Sequence, residues 1–378
     1  MSDMLDYLKG NQQEIEKTLI QLVNAESPSH DKELVDACGK VLMEEFATLI
    51  GGDIQIIEKS IVGNQYLFTY GPKDSKEQIL IIGHLDTVWD KGAIAVRREG
   101  DTLFGPGVFD MKGGLTIALW AMKALIETNH FMDKKVVLLV TSDEEVGSTH
   151  SKEIIIEEAR KSFLVLVPES SIEPDGAVKT ARKGAGKFIL EIQGVSAHAG
   201  INAWDGASAV EELAYQITDL KKLANRQQGI SINIGAVSGG TRSNVIAKDA
   251  YAEIDVRISK REQAHLITAQ IVNRPNFISG TKTTVTGEIE RFPLERNEKV
   301  ISLYNDLKQI AISHGYELQE GSSGGASDGN FTAGEKIPTI DGLGPIGGGA
   351  HSENEHIVLS NLPVRAALLA EMIAKHSK

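Results

Sequence analysis

The sequence predicts an α/β protein built on a helix-covered, mainly parallel sheet, with a second α/β sandwich inserted into it. Apolar runs of strand length at 79–82, 135–141 and 163–169 alternate with helix-length stretches. Continuous apolar runs mark strands buried on both faces, and strands alternating with helices make a parallel sheet. From 184 to 290 the pattern becomes strand, helix, strand, strand, helix, strand, the order of a ferredoxin-like sandwich with an antiparallel sheet. Parallel-sheet character then returns, so residues 1–183 and 291–378 form one domain and 184–290 another. A chain of 378 residues also exceeds one ordinary core.

In order, residues 12–24 read as an amphipathic helix with Ile15, Leu19, Leu22 and Val23 on one side. Ser29 or Asp31 can cap the next helix, which runs to Leu49 and carries Cys38 on its apolar face. Strands follow at 54–58, 64–70 and 79–84, then a hairpin, a glycine-rich turn at 105–114 and a helix to Glu127. The strands at 135–141 and 163–169 flank a short helix. The insert supplies strands at 187–193, 229–237, 250–258 and 281–288, with helices at 207–223 and 261–271. Glycine-rich 182–186 and the turn at 291–293 read as hinges. A helix at 298–313, strands at 316–319 and before Ile340, glycine-rich 321–328 and 347–351, and a helix at 361–375 complete the chain.

Acidic residues outnumber basic ones 52 to 39, for a net charge of -13, which argues against nucleic acid or an anionic membrane as partner. The single cysteine excludes an internal disulfide framework and a thiolate-only metal site. The first ten residues lack the basic and apolar regions of a signal peptide, and no apolar stretch approaches the ~20 residues of a membrane span. The expectation is a cytoplasmic protein.

The apolar run at 79–82 ends in Gly83, His84, Leu85 and Asp86. On extended backbone the His84 and Asp86 side chains point the same way, at the carboxyl end of the strand, where α/β sheets place their ligands. The pair reads as a metal ligand with its orienting partner, as half of a proton relay, or as a polar turn. Asp110, Glu145, Glu169 and His351 likewise follow strand ends or glycine-rich turns. Two imidazoles and three carboxylates suit Zn²⁺ or Co²⁺ and are too many for one tetrahedral ion. Shared by two ions about 3.5–4 Å apart, with one carboxylate bridging, they make a two-metal hydrolytic site. Glu144 and Glu145 are adjacent, so on extended backbone one can ligate a metal while the other faces the polarised water as general base.

These residues resemble the M20 metallopeptidases, which include glutamate carboxypeptidases, aminoacylases and related deacylases. The carriers are Gly83-His84-Leu85-Asp86-Thr87, Gly105-Pro106-Gly107-Val108-Phe109-Asp110-Met111-Lys112-Gly113-Gly114, Asp143-Glu144-Glu145-Val146-Gly147, Pro168-Glu169, Ser196-Ala197-His198-Ala199-Gly200 and Gly348-Gly349-Ala350-His351. The resemblance implies a di-zinc peptidase fold whose inserted domain is a lid and dimerisation module. It implies Asp110 as the bridging carboxylate, His84 and Glu169 on one Zn²⁺, Glu145 and His351 on the other, Glu144 as catalytic base and Asp86 supporting His84. It also implies a cis peptide after Asp110. In the lid, His198 resembles the histidine that stabilises the oxyanion, often from the partner of a homodimer. Asn244 and Arg257 resemble the residues that bind a substrate's free carboxylate. A planar guanidinium suits that task.

The implied reaction is hydrolysis of an amide beside a free carboxylate, closest to the glutamate carboxypeptidases. Deacylation of an N-acyl amino acid and cleavage of a dipeptide use the same water attack. Ser323, in Gly321-Ser322-Ser323-Gly324-Gly325, fits a G-x-S-x-G nucleophile pattern, with Asp328 and His351 following in order. That serine-hydrolase reading leaves the strand-end acids idle. A binding protein that has lost its chemistry should lack the base or a ligand, and here all are present.

Overall fold

The computed structural model describes residues 3–130 and 132–377. Helices α1 (Asp3–Gly10), α2 (Gln12–Asn24) and α3 (Lys32–Leu49) open the chain. Strands β1 (Asp53–Ile57), β2 (Gln65–Tyr70), β3 (Gln78–His84), β4 (Arg97–Glu99) and β5 (Thr102–Phe104) follow, then α4 (Gly113–Glu127). Next come β6 (Lys135–Thr141), α5 (Lys152–Arg160), β7 (Ser162–Leu166) and β8 (Val178–Arg182). The middle of the chain supplies β9 (Gly184–Gln193), α6 (Ala209–Leu220), β10 (Ser231–Gly239), β11 (Asp249–Ile258), α7 (Gln263–Val272) and β12 (Lys282–Arg291). The last part holds α8 (Glu298–Ser313), β13 (Glu320–Ser323), α9 (Gly329–Gly334), β14 (Thr339–Ile340), β15 (Gly347–Gly348), β16 (His356–Val358) and α10 (Leu362–His376).

The main sheet has the order β1-β2-β6-β3-β7-β14. The ladders β6–β3, β3–β7 and β7–β14 are parallel, and β1–β2 and β2–β6 are antiparallel, so the sheet is mixed and mainly parallel. Its two-faced burial follows from the period of a strand. Ile79 and Ile81 enter the large core with Val136, Leu138, Leu164 and Leu166, while Leu80 and Ile82 enter a second cluster with Val137, Leu139, Val165 and Val167. Apolar α4 and α10 fill the large core, with Trp120, Leu362 and Leu369 buried in it. Because β3 and β6 are parallel and His84 pairs with Thr141, the segments leaving both strands emerge at one sheet edge.

The chain divides into two compact units. The first comprises the chain to Ala181, Arg296–Ser323 and the chain from Ser327, and the second comprises Arg182–Glu295 and Gly324–Ala326. The second unit has its own antiparallel sheet, in the order β10-β11-β9-β12. Burial alternates strictly along β9 and β11, and Phe188, Leu190, Ile254 and Val256 pack on Leu213 of α6 and Ile267 and Ile271 of α7.

Several local expectations change. Helix α1, with Met4, Leu5 and Leu8 buried, is too short for its period to stand out in the sequence. Asp31 alone caps α3, accepting from the Leu34 N–H at 3.1 Å, because Ser29 is engaged elsewhere. Residues 316–319 form no strand, and the ladder begins at Glu320, inside the stretch read as a glycine-rich loop. Gly184 and Gly186 lie within β9 and not in a loose hinge; a Cβ on Gly186 would meet the Glu288 carbonyl oxygen at 2.6 Å. Among the described residues no helix is long and apolar enough to cross a membrane.

Candidate metal centre

His84 ends β3 and is buried, and Glu169 follows β7 in the segment beyond Leu166. Asp110 sits in a kinked turn that Gly107 opens at φ +69°, a left-handed angle suited to glycine. The Asp110–Met111 peptide is cis. His351 follows β15 and has φ +60° in the same unusual region.

These side chains converge. His84 Nε2 lies 3.3 Å from Asp110 Oδ1 and 3.4 Å from Glu169 Oε1. His351 Nε2 lies 3.1 Å from Glu145 Oε2 and 3.6 Å from Asp110 Oδ2. Asp110 therefore presents one oxygen to each imidazole. With metal–ligand bonds of about 2.0–2.2 Å at tetrahedral angles, neighbouring ligand atoms of one zinc ion lie roughly 3.3–3.5 Å apart. The two separations at His84 match that edge, the 3.1 and 3.6 Å at His351 fall on either side of it, and all four exceed the ~2.7–2.9 Å of charge-assisted hydrogen bonds. Asp110 Oδ1 is buried and makes no hydrogen bond. Atoms of His84, Asp110 and Glu145 all lie within 4.8 Å of one another, a group able to hold a metal ion.

Asp86 is fully buried behind this cluster. The Glu144 and Glu145 N–H groups each donate to its carboxylate at 3.2 Å, and the Ser29 hydroxyl donates at 2.7 Å. His84 Nδ1 lies 3.0 Å from the Asp86 carbonyl oxygen and 3.4 Å from its carboxylate, which places the ring proton on Nδ1 and leaves Nε2 to face the acids. Glu144 and Glu145 are not on extended backbone. They occupy a turn closed by the Gly147 N–H to the Glu144 carbonyl at 2.9 Å and by Ser148 to Asp143 at 2.7 Å. The turn forms because Asp86 gathers both amides and Gly147 supplies φ +102°.

Charge follows the geometry. Burial disfavours a protonated His84, but Asp110, Asp86 and Glu169 outweigh it and hold its pKa well above the usual range. Asp110 is held far below the usual carboxylate range, because His351 and His84 outweigh its burial. Burial pushes Glu145 up against the opposing pull of His351. His351, more open, is pushed up to about 10, by Asp110 first and then Glu145.

The remaining expected residues lie in the second unit. His198 is exposed, and its Nδ1 accepts the N–H groups of Gly200 and Ile201, both at 3.1 Å, so the ring proton sits on Nε2. The Ala199 N–H donates to the Asn244 carbonyl at 3.0 Å, so His198 and Asn244 share one corner of the unit, beyond the Gln193–Asp249 end of the β9–β11 ladder. Arg257 is not with them. It pairs with Ala185 at the opposite end of that ladder, roughly 26 Å along β11 from Asp249 at ~3.3 Å per residue. Its guanidinium grips Asp255 through two bonds of 2.9 Å.

The serine-hydrolase arrangement does not assemble. Ser323 ends β13 and is followed by a bend, not by a helix; Asp328 bonds Thr141 and Ser148, and His351 faces Glu145 and Asp110. Sequence reasoning missed two groups at the centre, Ser29 and Glu355. Glu355 is buried and accepts the N–H of Asp110 at 3.0 Å. Its only sequence signal is its place four residues after His351.

Residues 80–375 match the model of peptidase family M20/M25/M40. The chain belongs to that family. It is 28% identical over 373 residues to carboxypeptidase G2 of Pseudomonas sp. (strain RS-16), covering 94% of this chain and 88% of that one. It is 24% identical over 368 residues to a succinyl-diaminopimelate desuccinylase of Dechloromonas aromatica, covering 89% and 92%. Among solved structures, an aminopeptidase PepT of Bacillus cereus superposes with TM-score 0.79 at 22% identity, covering 97% and 99%. A dinuclear metal-binding M20 peptidase of Bacillus subtilis gives 0.71 at 14%, covering 98% and 99%. This M20 chain is thus a metallopeptidase-type hydrolase of amide bonds, with a candidate metal site built on Asp110.

Proposed function

We propose that this M20 enzyme hydrolyses an amide bond adjacent to a free carboxylate, as a glutamate carboxypeptidase does, using two divalent ions. One observation carries the two-ion reading: Asp110 turns one oxygen to His84 at 3.3 Å and the other to His351 at 3.6 Å. His84, Asp110 and Glu169 would hold one ion, and Asp110, Glu145 and His351 the other. Zn²⁺ fits this donor set best, and Co²⁺ fits it too. Bound there, the ions would polarise the attacking water and the scissile carbonyl.

The protein's own residues do the rest. Glu144, on the turn held by Asp86, takes the proton of the attacking water and delivers it to the leaving amine. His198, with its proton on Nε2, donates a hydrogen bond to the developing oxyanion. Arg257 and Asn244 bind the substrate carboxylate, Arg257 exchanging Asp255 for it. One subunit separates Arg257 from His198 and Asn244 by most of a strand length. We therefore assign Arg257 to its own subunit's substrate and His198 and Asn244 to that of a partner, in a homodimer formed through residues 184–290 acting as a lid. Edge strand β10, largely exposed, supports that pairing. A small peptide or N-acyl amino acid is the substrate class, and a cytoplasmic setting agrees with the single buried cysteine.

Deacylation of an N-acyl amino acid is the second reading, supported by the desuccinylase relatives. Zn²⁺- and Co²⁺-loaded protein incubated with folyl-type glutamates, N-acyl amino acids and dipeptides, read by mass spectrometry, separates the two. Glutamate release from the folyl-type compounds supports the first reading. Turnover of N-succinyl or N-acetyl amino acids alone replaces it with the second. Glu144→Gln should bind metal normally yet lose about 10²–10⁴-fold in kcat. A variant that keeps the wild-type rate removes Glu144 from the base role.

A further inference from the structure

We propose that Glu355 is a positioning residue for the metal centre, locking the turn that carries Asp110 to the loop that carries His351. The inference rests on the two-ion reading above. Glu355 is 1% exposed, and its carboxylate accepts four hydrogen bonds. Oε1 takes the N–H groups of Phe109 at 2.9 Å and Asp110 at 3.0 Å. Oε2 takes the Gly107 N–H at 3.0 Å and the Trp89 indole N–H at 2.7 Å. Three of these donors belong to one turn, whose backbone amides form a concave anion-binding nest. Gly107 makes the nest possible: it holds φ +69°, and a Cβ there would meet Thr87 Cγ2 at 2.5 Å.

The backbone of Glu355 belongs to the other partner. Its N–H donates to the Ser352 carbonyl at 2.9 Å, one residue beyond His351, and its carbonyl accepts the Gly105 N–H at 3.4 Å. Just after it, β16 pairs with β5 and with β15, which fixes the exit of the loop. One residue thus holds the His351 loop by its main chain and the Asp110 turn by its side chain. His351 needs that hold, since its own side chain is half exposed and its backbone lies at φ +60°.

The chemistry of the four contacts narrows what can replace Glu355. All four partners are N–H donors, so only a group that accepts at both oxygens satisfies them. Glutamine is nearly isosteric, yet in either orientation its NH₂ faces a pair of N–H groups. Aspartate keeps both acceptors but is one methylene shorter. The two ions should also respond differently. Asp110 serves both and both should weaken, but His84 on β3 and Glu169 after β7 lie outside what Glu355 touches, whereas His351 sits on the loop that the Glu355 side chain ties to the Asp110 turn.

The test is metal titration of the full chain, wild type, Glu355→Gln and Glu355→Asp, after chelator treatment. Equilibrium dialysis with Zn²⁺ counts ions, and the visible absorption of Co²⁺ reports ligand geometry. The wild type should bind two ions. Glu355→Gln should weaken both ions, since Asp110 serves each, and the second the more, by about 10–100-fold, with an altered Co²⁺ spectrum. Glu355→Asp should fall between them, and it decides the matter if the glutamine variant does not fold. Wild-type affinity for both ions with an unchanged spectrum would overturn the proposal, even with a lowered Tm. A wild type that binds fewer than two ions instead removes the two-ion reading itself.

Discussion

The Glu144 main-chain N–H donates to the Asp86 carboxylate at 3.2 Å. Asp86 stands two residues from His84 and holds the turn on which both Glu144 and Glu145 are carried, so one buried carboxylate registers β3 against the segment leaving β6. The relationship is stronger than orientation of an imidazole. It couples His84 and Glu145, the proposed ligands, and Glu144, the proposed base, to a single group, and Ser29 supplies its fourth contact. A carboxylate at that point satisfies buried donors that would otherwise go unpaired.

Asp86→Asn therefore tests more than a histidine partner. The amide keeps the volume but turns its NH₂ toward one of the Glu144, Glu145 or Ser29 donors. kcat should fall about 10–100-fold. KM should change little, because Asp86 is buried away from any substrate. Steady-state kinetics on the best substrate of the panel checks this, and an unchanged kcat would mean the turn is held by other contacts.

Metal binding should release protons. In the metal-stripped protein His351 is pushed up to about 10 and His84 is held well above its ordinary value, so at pH 7 both rings carry a proton that a metal ion must displace. Calorimetric titration in buffers of different ionisation enthalpy should show a proton released from each imidazole, and apparent affinity should rise with pH toward about 10. The stability sign follows from the raised pKa. The stripped protein gains stability from His351 fully below the unfolded value of about 6.5 and loses it as pH climbs through the folded one. Zinc binding without proton release would mean that the rings are already neutral in the stripped protein, and the raised pKa values would fall.

The sheet was legible because its strands are buried on both faces: 79–82 and 135–141 admit no alternation, and a buried run ending in histidine or acid is rare enough to notice. Asp110 and His351 show in the sequence only through the glycine-rich turns before them and the family motifs, since a kinked turn opened by Gly107 and a left-handed histidine leave no periodic signature. Glu144 and Glu145 were found but misplaced on extended backbone, because the carboxylate that folds their turn comes from Asp86, 58 residues earlier. Glu355 has no sequence signal beyond its nearness to His351. Its contacts with the Asp110 turn span 245 residues, and nothing in local spacing marks a carboxylate that accepts only backbone amides and an indole. The resemblance assigns Asn244 and Arg257 to one carboxylate, and only the register of β9 with β11 shows that Arg257 lies at the opposite end of the ladder from Asn244 and His198.

That separation can be tested by complementation. His198→Ala and Glu144→Gln should each be nearly inactive alone, the first for want of the oxyanion donor and the second for want of the base. If His198 serves the partner's site, a mixed dimer has one site with both groups intact and one with neither. Random exchange of equal amounts makes half the dimers mixed, so the mixture should recover about one quarter of wild-type activity. Subunits should be exchanged by dilution and reconcentration, with size-exclusion chromatography confirming the dimer. No recovery from a mixture of proven dimers would place His198 in its own subunit's site, and Arg257, at the other end of the sheet, would then lose its claim on the same substrate.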